Sequence, residues 1–455
     1  MQFVVLNRRN VRALAILSAA LALGYLVSRF EPAGLTEAGR ITLGIFAIAA
    51  ILWMLEPFPL YVTSFLVVIL EVVFLGRAGG PLGMEAKGYA VFLHPFFDPV
   101  VVLFLGGFVL ARAVKRYGLD DRISRLILRR AGSRPTSVLL GMMVTSAFLS
   151  MWISNTATTA LMIAVAIPLI RDFPQDEPFR KAIILGVPFA SNIGGIGTPI
   201  GTPPNAIAMG ILGQIHEGFS FLAWMIRGLP VVVVLLGFCW WLLCRLFPPG
   251  ISRVELRIRT DEPMDRRSML IVGVFAGVVI LWLTSPLHGI PAAIIALVPL
   301  VVFFGLGLLE HEDLQDLGWG ILFIIGGGMS LGVAMRESGL SAWIVQQIPF
   351  EGIGAFGVLL VFAVSAAALT TFISNTATAN LLIPIVVGVA AIAPRTSAVA
   401  VALASSAAMI LPISTPPNAI AYGSGRIAVA DMMRAGAIVT AVSVLFITVF
   451  VYLLF

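Results

Sequence analysis

Two short strings rich in hydroxyls and amides recur in this chain, and they hold its clearest candidates for chemistry. Ile-Ser-Asn-Thr-Ala-Thr occupies Ile153 to Thr158 and returns at Ile373 to Thr378. Each copy is followed by Thr-Pro-Pro-Asn-Ala-Ile-Ala, at Thr202 to Ala208 and at Thr415 to Ala421. The side chains on offer are Ser154, Asn155, Thr156 and Ser374, Asn375, Thr376, with Ser150 and Thr370 one turn ahead on the same helix face. From 136 to 170 and from 352 to 394 the chain holds no Asp, Glu, Lys, Arg or His. Acid–base work has no agent there, and a hydrolase built on Ser154 or Ser374 would lack its base. What remains is binding. Hydroxyl and amide hydrogens suit an anion. Neutral hard oxygens without a carboxylate suit a monovalent cation rather than zinc, calcium or magnesium. Sodium is the physical favourite.

The elements that must position these groups follow from the same residues. Ser and Asn start helices, so each tip is expected to open one, with free N–H groups and the positive dipole end directed at the tip. Helix N-termini gathered around one site make an anion cradle. Pro203-Pro204 and Pro416-Pro417 remove backbone donors and disfavour helix before them, so each apolar segment should break there. A break frees carbonyl oxygens for a small cation, and Gly194, Gly195, Gly197 and Gly201 allow close approach at the first one. Helix-breaking polar segments repeated in both halves of an apolar chain point to a transporter binding site. Irregular backbone survives at membrane depth only where it lines a protected or watery cavity.

The apolar setting is plain. The chain is 59% hydrophobic and only 11% charged, which excludes a soluble protein of this size. We expect an all-α polytopic membrane protein. Its spans fall near 11–29, 41–56, 58–76, 98–116, 179–213 (broken), 221–247, 267–285, 291–309, 319–336, 396–424 (broken) and 428–455. Two apolar hairpins, 136–170 and 354–392, are expected to enter and leave on one side. With that reading, 22 of the 29 Lys and Arg residues fall on the face of the N-terminus. That face is then cytoplasmic, the C-terminus lies outside, and the first span is a retained anchor in an inner or plasma membrane. The net charge of +6 is thus a topology signal and not one for nucleic acid. The basic stretch Lys115 to Arg134 reads as an interfacial amphipathic helix or a solvated positive loop. Cys239 and Cys244 read as core residues, and His94, His216, His288 and His311 form no ligand spacing. Proton-coupled carriers usually keep an intramembrane acid or histidine. Glu56 and Glu71 come nearest, and both are expected to be helix-end anchors.

The repeat extends beyond the two strings. Ile51-Leu52-Trp53 matches Ile280-Leu281-Trp282, and Leu105 to Leu119 aligns with Gly326 to Leu340. The offsets shrink from 229 through 221 and 220 to 213 residues, so the two series are collinear. An odd number of elements between copies makes the halves inverted. The expected division is 1–40, an N-terminal span; 41–134 and 267–352, two scaffold halves; 135–248 and 353–455, two transport halves; and 249–266, a cytoplasmic linker. The Gly106-Gly107 and Gly327-Gly328 pairs are expected to serve close helix packing.

The paired Ser-Asn-Thr and Thr-Pro-Pro-Asn motifs, with Glu56-Pro57 after a Trp, resemble those of the divalent anion/sodium symporter family. The likeness covers nearly the whole chain. That family carries dicarboxylates, citrate and, in some branches, sulfate. The resemblance implies a homodimer, each protomer with a fixed scaffold and a transport domain that moves like an elevator. It implies substrate contacts from Asn155, Thr156, Thr202, Ser374, Asn375, Thr376, Thr415 and Pro416. It further implies one sodium among Ser150, Ser154, Asn155 and Gly201, and another among Thr370, Ile373, Asn375 and Ser414. Ser414 stands where alanine is common, a change that a carbonyl ligand survives. The expected activity is sodium-coupled import of C4-dicarboxylates such as succinate, malate or fumarate. A citrate or sulfate carrier and a sodium-independent exchanger on the same fold stay open.

Overall fold

The computed structural model describes residues 8–454 apart from 86, 172, 255–262, 348–351 and 390–391. The middle of the expected linker 249–266 lies outside the described residues. A leading helix, α1 (Arg8–Arg29), packs against α2 through Gly24 and Gly44, whose missing side chains bring the two backbones together.

The first series then runs α2 (Glu37–Leu55), α3 (Leu60–Phe74), α4 (Pro99–Arg116), α5 (Leu119–Ala131), α6 (Pro135–Ser150), α7 (Asn155–Arg171), α8 (Phe179–Gly195), α9 (Pro203–Gln214) and α10 (Phe221–Leu246). After the linker come α11 (Arg266–Leu283), three short helices α12 (Ser285–His288), α13 (Ala292–Ile295) and α14 (Val298–Gly305), then α15 (His311–Gln315) and α16 (Trp319–Glu337). The second series ends with α17 (Leu340–Gln347), α18 (Ala355–Phe372), α19 (Asn375–Val386), α20 (Pro394–Ser405), α21 (Pro416–Gly423) and α22 (Val429–Leu454). Helix for helix, α4 to α10 has its counterpart in α16 to α22. Both expected breaks are present, and in each the new helix starts at the first proline of the Pro-Pro pair, where a missing N–H costs nothing.

Eight helices among the described residues are long and apolar enough to cross a membrane. Large apolar side chains such as Ile69, Val233, Val301 and Leu453 face outward, as a lipid-facing surface requires and a soluble one does not. The amphipathic reading of the basic stretch holds in α5, which buries Leu119 and Leu128 and begins with Asp120 and Asp121 at its positive end.

The two series interlock. Helix α9 of the first packs on α19 and α20 of the second, while α21 of the second packs on α7 and α8 of the first. At the ends of the helices, Arg112 reaches Asp313 at 2.8 Å and Asp316 at 2.8 Å, and Lys181 reaches Asp431 at 2.9 Å. The glycine pairs serve close packing as expected. A Cβ on Gly106 would collide with the Ala296 backbone, and one on Gly327 with Ser64. Their neighbours Gly107 and Gly328 meet Ile200 and Asn380 instead, so each pair joins two layers at once.

One expectation is corrected. Glu56 does end a helix, exposed and left-handed at φ 43°, but Glu71 is no helix-end anchor. It lies fully buried in α3, its Oε2 accepting from Ser330 Oγ of α16 and its Oε1 without a partner. The apolar face of α16 covers it, and nothing in the local sequence announces that.

Candidate functional site

In the first series, α6 ends at Ser150 and, after four intervening residues, α7 begins at Asn155. Ser154 Oγ accepts from the Ala157 N–H at 3.3 Å and thereby caps α7. Ser374 does the same for α19, accepting from Ala377 N–H at 3.1 Å. The caps are therefore the serines. That leaves the asparagines for something else.

Each asparagine is held by the hydroxyl one turn before the tip. Ser150 Oγ donates to Asn155 Oδ1 at 2.6 Å, and Thr370 Oγ1 donates to Asn375 Oδ1 at 2.6 Å. Thr370 Oγ1 also lies 2.9 Å from the Ser405 carbonyl. Ser150 and Thr370 are fully buried, whereas Asn155 and Asn375 are half-buried, so each amide sits at the edge of the buried core. Ser154 and Thr156 are exposed, and Ser374 and Thr376 half-buried.

The first break folds back onto the first tip. A Cβ placed on Gly195 would lie 2.7 Å from Asn155 Oδ1 and 3.1 Å from the Gly201 carbonyl oxygen. Two oxygens from different segments thus converge on a space that only a glycine leaves free. Ser150 Oγ is bonded to one of them. This cradle of hydroxyl, amide and carbonyl oxygen fits a small monovalent cation. At the second break the position equivalent to Gly195 is Ala408, fully buried. There Ser414 Oγ donates to the Thr371 carbonyl at 3.1 Å and accepts from Leu411 N–H at 3.2 Å. Its hydroxyl is thus tied to the fold by one donated and one accepted bond, which leaves one acceptor position of the hydroxyl and the backbone carbonyl to serve a cation. Ile373, extended at φ −124° and buried, carries the chain from α18 into the second tip.

The expectation that the breaks release their carbonyls needs revision. Asn205 of the first Pro-Pro-Asn, fully buried, turns its Nδ2 back to the Thr198 carbonyl at 2.8 Å and the Gly195 carbonyl at 3.0 Å. Asn418 repeats the bond to the Leu411 carbonyl at 3.0 Å, and Leu411 is the counterpart of Thr198 at the offset of the motif. Trp224 Nε1 takes the Ile196 carbonyl at 3.0 Å. The Thr198 and Leu411 carbonyls also accept from Gly201 N–H at 3.3 Å and Ser414 N–H at 3.1 Å, but the break would otherwise strand the Gly195 and Ile196 carbonyls, at about 1–3 kcal/mol each. Asn205 and Asn418 were in plain view in the repeated string, and an asparagine after two prolines is the signal that could have identified them as clamps.

Thr202 and Thr415 both stand at the helix start in extended backbone, and both are buried. Only Thr415 caps its helix through the side chain, accepting from Asn418 N–H at 3.3 Å. Pro416, one residue on, is exposed. Across the halves, Asn192 of α8 reaches Thr415 Oγ1 at 3.2 Å and Asn418 Oδ1 at 3.4 Å. Asn192 has Ser405 as its counterpart, so no repeat flagged it. The structure therefore brings Ser150, Asn155 and Gly201 together around Gly195. It joins Thr370 to Asn375, and it ties the second Thr-Pro-Pro-Asn to the first half. The packing of α21 on α7 and of α9 on α19 sets each motif beside the tip helix of the other half.

The chain matches the citrate transporter family, CitMHS, over residues 50–408. It is 31% identical to the sodium-dependent dicarboxylate transporter SdcS of Staphylococcus saprophyticus, covering 93% of this chain and 88% of that protein. The protein of the same name from Staphylococcus aureus strain USA300 is 30% identical, over 93% of this chain and 87% of its own. Two solved structures share the fold at 14% identity. The YdaH transporter of Alcanivorax borkumensis superposes with a TM-score of 0.60 over 87% of this chain and 98% of its own. MtrF of Neisseria gonorrhoeae, from a class of antimetabolite efflux pumps, gives 0.56 over 95% and 97%.

Proposed function

The chain belongs to the citrate transporter family, and from that premise we propose that this multi-pass membrane transporter imports C4-dicarboxylates such as succinate, malate and fumarate together with sodium. The observation that carries the reading is the duplicated bond set: Ser150 to Asn155 and Thr370 to Asn375, both at 2.6 Å, beside Asn205 and Asn418 clamping equivalent carbonyls. A fold built twice around the same amide calls for a ligand that uses both copies.

In this reading the tip N–H groups and the hydrogens of Asn155, Thr156, Thr202, Ser374, Asn375, Thr376 and Thr415 meet the carboxylates, with Pro416 against the ligand. Sodium is co-transported cargo. One ion takes oxygens from Ser150, Ser154, Asn155 and Gly201, and a second from Thr370, Ile373, Asn375 and Ser414. Among the described residues of the tips and breaks there is no cation to neutralise a dianion. Sodium supplies that charge, and empty binding is disfavoured without it. The relatives named as sodium-dependent dicarboxylate transporters support this substrate and ion. The family description supports citrate as the second substrate to test.

The proposed architecture has about eleven spans in two inverted repeats. Hairpin α6–α7 is re-entrant from the cytoplasm and hairpin α18–α19 from outside. The two hairpins, both broken helices, α10 and α22 form a transport domain that moves as an elevator against the scaffold halves 41–134 and 267–352 of a homodimer. A liposome panel tests the substrate class. Succinate should outpace citrate and sulfate at equal concentration under an inward sodium gradient, and a preference for sulfate would overturn the dicarboxylate reading.

A further inference from the structure

Resting on the dicarboxylate reading, we propose that Asn192 is a positioning residue that fixes the hydrogen-bond polarity of Thr415, making its hydroxyl an obligate donor to a substrate carboxylate.

The orientation of each group is forced in turn. Asn418 Nδ2 lies 3.0 Å from the Leu411 carbonyl, which can only accept, so Asn418 Oδ1 faces the opposite way. That oxygen lies 3.4 Å from the Asn192 amide nitrogen, and Asn192 must present its NH2 group there. The same nitrogen is 3.2 Å from Thr415 Oγ1, within reach of its second hydrogen. Thr415 Oγ1 also accepts from the Asn418 N–H at 3.3 Å. A hydroxyl oxygen accepts two hydrogen bonds and donates one. Both acceptor positions of Thr415 are filled, so its hydrogen must go to a third partner, and among the described residues Thr415 makes no bond as a donor.

Asn192 itself is fully buried and its Oδ1 has no partner. Its nitrogen is held forward while its own oxygen goes unsatisfied, which marks an orientation imposed by Asn418. The first half has no such device. Thr202 makes no side-chain cap bond, and Ser405, the counterpart of Asn192, turns its hydroxyl back to the Val401 carbonyl at 2.7 Å. One of the two related threonines is thus polarised from the other half of the chain. A hydroxyl that can only donate selects a carboxylate oxygen over any group that must itself donate.

A double-mutant cycle tests this in proteoliposomes at saturating sodium. Asn192→Ser copies the residue of the second repeat and is too short to reach Thr415. It should raise the KM for succinate about ten-fold while leaving the maximal rate within about two-fold. Thr415→Val should raise KM at least as much, and the double variant should be no worse than Thr415→Val alone. Asn192→Asp, equal in shape but able to accept the threonine hydrogen, should exceed Asn192→Ser, and it runs the same cycle if the serine variant does not fold. Effects that multiply in the double variant would overturn the proposal, because Asn192 would then act through something other than Thr415. An Asn192→Ser protein of normal KM beside an impaired Thr415→Val would also overturn it and leave the dicarboxylate reading standing. A normal KM in Thr415→Val would instead remove Thr415 from the binding site, and this role for Asn192 with it.

Discussion

Ser150 Oγ donates to Asn155 Oδ1 at 2.6 Å, and with the helix cap supplied by Ser154 this bond supports the ligand role proposed for the asparagine. Replacing Asn155 by Ser keeps a good helix-starting residue but removes an amide that reaches the site. The same holds for Asn375 under Thr370. Each variant should fold and should weaken apparent succinate affinity about ten- to a hundred-fold, the worth of one hydrogen bond to a charged group. Sodium affinity should shift in parallel, because ligands sharing a site are reciprocally linked. Near-normal kinetics in both purified variants would reduce the asparagines to helix starters.

Gly195 leaves the space on which Asn155 Oδ1 and the Gly201 carbonyl converge. Gly195→Ala puts a methyl group 2.7 Å and 3.1 Å from these oxygens, in a helix that alanine otherwise favours. The expected outcome is a folded protein whose half-saturating sodium concentration rises at least about ten-fold, read from uptake against sodium at fixed succinate. An unchanged sodium curve would place the first ion elsewhere.

Asn205 and Asn418 hold the breaks closed. Asn205→Ala leaves the buried Gly195 carbonyl without its donor, while the Thr198 carbonyl keeps the Gly201 N–H at 3.3 Å, and the loss should cost about 1–3 kcal/mol. In detergent its thermal midpoint should drop by several degrees, and Asn418→Ala, which leaves the Leu411 carbonyl with the Ser414 N–H at 3.1 Å, should drop less. Wild-type midpoints in both would show that other groups carry the breaks.

Much of this was legible in the sequence, and the reasons differ by element. Pro203-Pro204 and Pro416-Pro417 locate both breaks because proline acts through its own backbone, whatever surrounds it. The Ser-Asn-Thr tips declare themselves by repetition, and spacing along one helix places the Ser150 and Thr370 hydroxyls beside them, though not their bonds to the asparagines. Asn192 was not legible. Its role depends on α21 of the second half lying against α8, a tertiary fact, and the repeat hides it because Ser405 fills the matching place. Glu71 failed for the same reason, since burial under α16 cannot be seen from α3. The fate of the freed carbonyls was misread because a break was considered without the asparagine that follows it.

Topology is tested by single cysteines at the hairpin ends. Arg134 and Arg171 flank α6–α7 and are exposed, and cysteines there should both react from the cytoplasm only. Cysteines at Ile353 and Arg395, which flank α18–α19, should both react from outside only. Opposite-side labelling within either pair would make that hairpin a full span and dissolve the inverted repeat.

The most direct measurement of the central claim is succinate uptake by purified protein in liposomes, with sodium replaced by potassium or choline at constant ionic strength. Neutral oxygens at both tips and a dianion without a protein cation predict uptake that rises steeply with external sodium. A pH gradient alone should change it little. Unchanged succinate uptake in sodium-free buffer would contradict symport.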